Sequence, residues 1–337
     1  MLERPDLEDG RIIVCLEADY GLAVATLAFL PLGADMNTAV YRAETIDGGS
    51  FFVKLRAGPF DPNTVLVPWF LRDIGIRPII PPLKSTGGRL WAKIESFRVI
   101  LYPYVTGRDG FEVKLMPHHW RELGVALRAI HATTLPPELA GAVRQDDYKP
   151  HWRNTVLLML ENLDDQHDYD GTARMLGAFL MFKRPEILDL VDHAERYAYY
   201  LQTHPPTLVL CHTDLHAGNV LISEDGAFYI LDWDNPLFAP RERDLMFIGG
   251  AQGFIGDTPE DEETYFYQGY GPVDIDPVAL AYYRFERIIE DIALFCQQLL
   301  LSDAGGEDRP RALRYVMSNF TAGGTIDAAY RAIRPTD

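Results

Sequence analysis

The sequence predicts an α+β chain of two lobes, a small β-rich one followed by a larger, mainly helical one, with the active site in the cleft at their join. Three observations carry that expectation. Strand-like runs fill the first hundred residues, helical periodicity takes over after residue 107, and short strands with polar ends interrupt the helical part. A chain of 337 residues exceeds one typical domain and suits one large or two coupled domains. With 47% hydrophobic and 24% charged residues, it can bury a sizeable core.

In the first part, "ATLAFLPL" and "TAVYRAET" read as strands, and a Gly-Gly turn leads into "SFFVKL". "RLWAKI" and "FRVILYPYV" add further strand-like runs. Between them "TVLVPWFLRDIGI" is apolar enough for a helix that Pro68 would kink or delay. The stretch "YPYVTGRDG" marks the boundary, dividing 1–105 from 106–337. Beyond it, Trp120, Leu123, Leu127 and Ile130 share one helical face. "WRNTVLLMLENL" reads as helix, and so does "PEILDLVDHAERYAYYL", with Pro185 as a first-turn residue. The helix after Pro277 carries an apolar stripe through Tyr282, Phe285, Ile289, Ile292, Phe295 and Leu299. The interruption is a pair of short strands, Val209–Cys211 with Val220–Ile222, then Phe228–Leu231.

Formal charge is −18, from 31 basic and 49 acidic side chains. That balance argues against a nucleic-acid or anionic-membrane surface and is compatible with a cationic partner. Cys15, Cys211 and Cys296 are far apart, form no CxxC and read as reduced thiols of a cytoplasmic protein. The acidic start has no apolar signal region, and no run reaches the ~18 apolar residues of a membrane span.

The chemistry concentrates in "CHTDLHAGNVLI" and "YILDWDNP". Asp214 and Asn219 are five apart across a loop, and Asp232 ends the following hairpin. Two carboxylates and an amide oxygen are hard ligands suited to magnesium and phosphate oxygens. Phosphoryl transfer needs a metal, a lysine to hold the phosphates, and a carboxylate to receive the nucleophile's proton. A catalytic Asp, a metal-binding Asn five residues on and a metal-binding Asp after a strand is the kinase pattern. Lys54, on the strand "SFFVKL", is the expected phosphate lysine, with "LGADMNTAVYRAE" as the hairpin covering the phosphates. Tyr102, Pro103, Tyr104 and Val105 are candidates to offer backbone groups to adenine at the hinge.

The segment "CHTDLHAGNVLI … YILDWDNPLFAPRERDLMF" resembles the aminoglycoside phosphotransferase and choline kinase superfamily, whose catalytic loop reads HxDxxxxN followed by an apolar strand and IDW. The longer phrases, with "YGPVDID" and "YYRFERIIEDIA", are most similar to its spectinomycin phosphotransferase branch. The resemblance covers nearly the whole chain. It implies a protein-kinase-like fold and an ATP- and magnesium-dependent O-phosphotransferase acting on a small cationic substrate, with spectinomycin or a related aminoglycoside as the first expectation. It makes Asp214 the catalytic carboxylate, Asn219 and Asp232 the magnesium ligands, and Lys54 the α/β-phosphate lysine. His212 would stiffen the catalytic loop and Asp244 would tie it down. Asp234, Glu286 and Glu290 are candidate substrate-binding acids. One departure is that residues 55 to 75 hold no glutamate to pair with Lys54; of the acids present, Asp61 is the expected partner, or the pairing is absent.

Three other readings stand beside this one. A housekeeping kinase for choline, homoserine or a sugar would carry the same motifs. A metal-dependent hydrolase would use His212, Asp214, His216 and Asp232 as ligands, leaving Asn219 and Lys54 without a task. A non-catalytic nucleotide-binding regulator would not need the Asp214, Asn219 and Asp232 set. His216 itself reads as a loop-packing residue.

Overall fold

The computed structural model describes residues 4–33, 37–163, 170–302, 306 and 308–333. Along the chain come α1 (Asp9–Tyr20), β1 (Val24–Leu30), β2 (Thr38–Thr45), β3 (Ser50–Arg56), α2 (Asn63–Asp73), β4 (Ala92–Ile94), β5 (Phe97–Pro103) and β6 (Gly107–Asp109). Then follow α3 (Pro117–His131), α4 (Pro137–Ala140), α5 (His151–Glu161), α6 (Gly171–Thr203), β7 (Val209–Cys211), β8 (Val220–Ser223), β9 (Phe228–Ile230) and β10 (Leu237–Ala239). The chain ends with α7 (Glu242–Leu245), α8 (Pro259–Tyr270), α9 (Pro277–Leu300), α10 (Asp308–Ser318) and α11 (Thr325–Ala332).

The chain divides into two compact units. The first comprises Met1–Arg108, Leu135–Ala142 and Val220–Asp234. Its sheet runs β1-β2-β3-β5-β4, antiparallel throughout. Val53 and Leu55 join a core with Ile12, Leu16, Tyr41, Val99 and Leu101. Side chains alternate across a strand, so Lys54 faces the other way, in register with Val40 and Ile100. Ile100 packs there with Val65 and Leu90. The tip of the expected phosphate-covering hairpin, 34–36, lies outside the described residues; its arms are β1 and β2.

Three details of this unit differ from the reading of the sequence. The chain does not begin with strands: α1 precedes them, its buried Ile12, Cys15 and Leu16 at helical spacing and Gly21 closing it at φ +69°. Pro68 neither ends nor delays α2, although the ring removes the hydrogen bond to the carbonyl four residues back. Val65, Val67 and Leu71, all fully buried, hold the helix through that gap. The boundary near 105 is crossed again by 220–234. The β8–β9 hairpin is sewn to the first unit by Ile230 N–H donating to Pro78 O at 2.9 Å and Glu224 N–H donating to Thr106 O at 3.2 Å. A side chain on Gly107 would meet Ile222 O at 2.4 Å, so glycine permits that close approach.

The second unit comprises Asp109–Thr134, Val143–Asn219 and Asn235–Asp337. Its core joins α5, α6, α9, α10 and α11 through Leu160, Leu180, Ile187, Phe285, Ile292 and Val316. Pro185 lies inside the 33-residue α6, not in a first turn. The helix starts where Asp170 accepts from Ala173 N–H at 2.7 Å, and its stripe against α9 carries it past the proline. β7 pairs with β10, from Leu237↔Cys211 to Ala239↔Val209, whereas β8 pairs with β9. No described helix is long and apolar enough to cross a membrane.

Candidate active site

In the first unit the site is built around Lys54. Its Nζ lies 2.9 Å from Asp232 Oδ1 and 2.8 Å from Asp234 Oδ1, and Arg56 pairs with the other oxygen of Asp234. The lysine side chain is 10% exposed, against 22% for Asp234 and 45% for Asp232. Burial alone would lower the Lys54 pKa; Asp232 and Asp234 outweigh it and hold the ammonium charged. Burial would likewise raise the Asp234 carboxyl, but Lys54 and Arg56 hold it below the usual range. Asp232 adopts φ +56°, a left-handed conformation uncommon outside glycine, though an aspartate tolerates it better than most side chains.

One expectation is corrected here. Asp61 is not the partner of Lys54: its Oδ1 accepts from Asn63 N–H at 2.9 Å at the start of α2. A short acid at that position satisfies a helix terminus, and the lysine finds its acids 178 and 180 residues away. Asp234, a candidate for the substrate, pairs with Lys54 and Arg56. Arg56, two residues after Lys54 and so on the same face of β3, was missed. The β-strand period was the signal that could have found it. At the expected hinge, Tyr104 N–H donates to Ser50 O at 3.1 Å and Pro103 has no N–H, which removes two of the four residues as backbone donors.

In the second unit the loop after β7 is fastened from below. Asp244, fully buried on α7, accepts from His212 N–H at 2.9 Å and Thr213 N–H at 2.6 Å. His131 Nε2 lies 3.0 Å from the same carboxylate. Burial would raise the Asp244 carboxyl, but His131 first among its partners keeps it low. Thr213 sits at φ +78°, a genuine outlier for a β-branched residue, with its hydroxyl donating to Asn235 O at 2.9 Å. His212 Nδ1 accepts from Asp214 N–H at 3.2 Å. The Asn219 amide nitrogen donates to Asp214 O at 2.7 Å and to Asp214 Oδ2 at 3.1 Å. His216 stacks on Phe111 and accepts from Gly218 N–H at 3.0 Å, in keeping with a packing role.

Helix α9 supplies the cation that the sequence reading missed. Arg287 Nη1 lies 2.8 Å from Asp214 Oδ1, and its Nε lies 3.2 Å from Asp291 Oδ1. Burial would raise the Asp214 carboxyl, yet Arg287 above all, with His216 and His212, brings it down to about 2. The expected substrate acids on this helix have internal partners. Glu286 lies 3.3 Å from Arg153 Nε, and Glu290 lies 3.6 Å from Arg243. Arg153 is itself fully enclosed, donating to Tyr148 O at 2.7 Å and Ala194 O at 3.2 Å, so Glu286 answers a buried charge.

Asp232 offers a carboxylate and Asn219 an amide oxygen, since its nitrogen is engaged by Asp214; both are hard oxygen donors of the kind magnesium takes. They fit. Among the described residues, His131, Cys211 and Asp244 also bring ligand atoms within 4.8 Å of one another. Burial pushes the Cys211 thiol far up, and metals bind the thiolate. His131 already bonds Asp244 and the Tyr270 hydroxyl, and Asp244 holds the loop, so this cluster is a structural bolt.

Comparison with known proteins places the chain among kinases. Residues 30–282 match the phosphotransferase enzyme family. Spectinomycin phosphotransferase, APH(9)-Ia, solved with ADP and spectinomycin, is 34% identical, with a TM-score of 0.90 over 97% of this chain and 99% of that one. Its AMP-bound form matches at 33% identity and a TM-score of 0.86, covering 97% and 100%. Choline kinase from Streptococcus pneumoniae shares the fold, with a TM-score of 0.54 at 15% identity over 92% and 99% of the two chains.

Proposed function

The chain belongs to the phosphotransferase enzyme family, a nucleotide-using kinase with an alcohol acceptor and a protein-kinase-like α+β fold, and from that premise we propose that it phosphorylates a hydroxyl of spectinomycin or a related cationic aminocyclitol, using ATP and magnesium. The observation that carries the reading is Lys54, buried yet charged and held by the two acids of the DWD motif at 2.9 and 2.8 Å. A buried ammonium is costly unless it has a task or partners, and phosphate oxygens are what such a lysine meets in phosphoryl transfer.

In this reading Lys54 holds the α/β-phosphates and Asp214 accepts a hydrogen bond from the acceptor hydroxyl, orienting it toward the γ-phosphate. A carboxylate held near pKa 2 is a poor base. That suits a loose transition state, in which the proton leaves late and orientation matters more than basicity. Asn219 and Asp232 are the residues that would hold magnesium, which supplies neutralisation of phosphate charge when bound. Asp244 and His212 keep the loop in its strained form. The cationic substrate is supported by the formal charge of −18 and by the 34% identity to a spectinomycin kinase across the chain.

The test is a coupled nucleotide-turnover screen with spectinomycin, other aminoglycosides, choline and homoserine. Turnover with spectinomycin far above the rest is the expected outcome. Turnover confined to choline or homoserine would move the protein to the housekeeping reading. Tight nucleotide binding with no turnover of any acceptor would favour a regulator.

A further inference from the structure

We propose that Arg287 is a positioning residue that covers Asp214 until an acceptor arrives, and that Asp291 is the carboxylate that keeps it when it swings away. The proposal rests on the role of Asp214 argued above. The two oxygens of Asp214 are not equivalent. Oδ2 accepts from the Asn219 amide at 3.1 Å and has His216 Nε2 at 3.6 Å. Oδ1 is shut off from solvent, although the side chain as a whole is 31% exposed. What lies against Oδ1 is Arg287 Nη1, an ion contact at 2.8 Å. An acceptor hydroxyl needs an available lone pair on this carboxylate, and those of Oδ1 lie under the guanidinium, so that oxygen is offered only when Arg287 moves.

The same guanidinium already touches its second partner. Asp291 stands one helical turn further along α9, with Oδ1 3.2 Å from Arg287 Nε. Rotation about the last side-chain bonds can therefore move Nη1 off Asp214 while Nε stays beside Asp291. Two single-point ion contacts to different carboxylates hold a charge less firmly than one bidentate pair. The charged groups facing Asp291 are Arg287 and Glu290 from its own helix, Asp214 from the loop and Arg243 from α7. Burial pushes the Asp291 carboxyl up to about 6, against the pull of Arg287, so it is mainly anionic at neutral pH and able to receive the cation.

This arrangement also selects. Moving Arg287 aside leaves Asp214 as a buried anion with its main counter-charge withdrawn, which is unfavourable unless the incoming molecule brings a cation of its own. An acceptor with an ammonium group next to the reacting hydroxyl restores the balance, and a neutral polyol does not. Arg287 thus stands in for the positive group of the acceptor while the site waits.

The experiment is a double-mutant cycle on kcat/KM for the acceptor, using Asp291→Asn, Arg287→Gln and both together, with nucleotide affinity and melting temperature measured on each. Turnover is followed with spectinomycin and, in parallel, with the other cationic alcohols of the screen. Silence with the antibiotic thus sinks the substrate reading alone, while any other cationic acceptor that is turned over carries the cycle on Arg287. Asp291→Asn should lower kcat/KM by about tenfold or more with nucleotide affinity unchanged, and should have no further effect in the Arg287→Gln background. Arg287→Met replaces the glutamine variant if that does not fold. The same penalty for Asp291→Asn in both backgrounds, or losses that track melting temperature, would overturn the proposal. So would a crystal structure with nucleotide and acceptor in which Arg287 Nη1 still covers Asp214 Oδ1.

Discussion

Replacing Lys54 by methionine removes one positive charge while keeping the length and apolar stem of the side chain. Asp232 and Asp234, which the ammonium touches at 2.9 and 2.8 Å, are then left with Arg56 as the cation in direct contact with Asp234. Removing one partner of a fully buried ion pair costs about 3–5 kcal/mol. Here Asp232 is 45% exposed and water takes over part of its charge, so about 1–3 kcal/mol of stability is the fitting range. The catalytic loss is larger. A preorganised donor aimed at developing charge contributes about 10²–10³ in kcat, or roughly 3–4 kcal/mol. The pKa of Lys54 is raised, so its contribution to stability is complete below its unfolded value and is lost only as pH rises through the still higher folded value. The ratio of variant to wild-type kcat should therefore be flat across the neutral range. The assay is coupled nucleotide turnover at several pH values, with a thermal melt of each protein. A Lys54→Met variant within about tenfold of wild-type kcat, or one whose loss is wholly accounted for by unfolding, would refute the reasoning.

Asp214→Asn should cut kcat by about 10²–10⁴ while nucleotide affinity holds, because the amide keeps the shape and loses the charge; kcat within about tenfold of wild type would make Asp214 a loop-shaping residue. With its folded pKa near 2, the Asp214 carboxylate contributes about 2 kcal/mol of stability above pH 4, lost as pH falls toward 2, and the asparagine variant should lack that acid limb in a melting series. Asp232→Ala should abolish turnover, and a chelator should do the same to the wild type, reversed by added magnesium; near-normal activity of the variant in magnesium removes Asp232 from the metal site. Glu262, buried on α8 and accepting from Gly249 N–H at 2.9 Å, has its carboxyl raised to about 8 by burial. A raised acid destabilises as pH climbs from its unfolded to its folded value, so Glu262→Gln should remove up to about 4 kcal/mol of alkaline loss, read as a melting temperature that no longer falls between pH 5 and 8.

By itself the sequence determined what its local patterns encode. Period-two runs gave β2, β3 and β5, the helical stripe gave α9, and the spacing of Asp214, Asn219 and Asp232 named a phosphoryl-transfer loop before any coordinate. These signals are legible because each depends on neighbours within one strand, one helix or one loop. Tertiary structure decided the ion pairs. Nothing local says that Lys54 meets Asp232 and Asp234 instead of the nearer Asp61, or that Arg287 closes on Asp214 73 residues before it in the chain. It also decided that Pro68 and Pro185 stay inside helices, because packing along a buried face offsets one missing hydrogen bond, and that β7 pairs with β10 across a 25-residue gap. Pairings between distant charges depend on which faces the folded core turns toward each other, and a linear pattern carries that only through the whole chain.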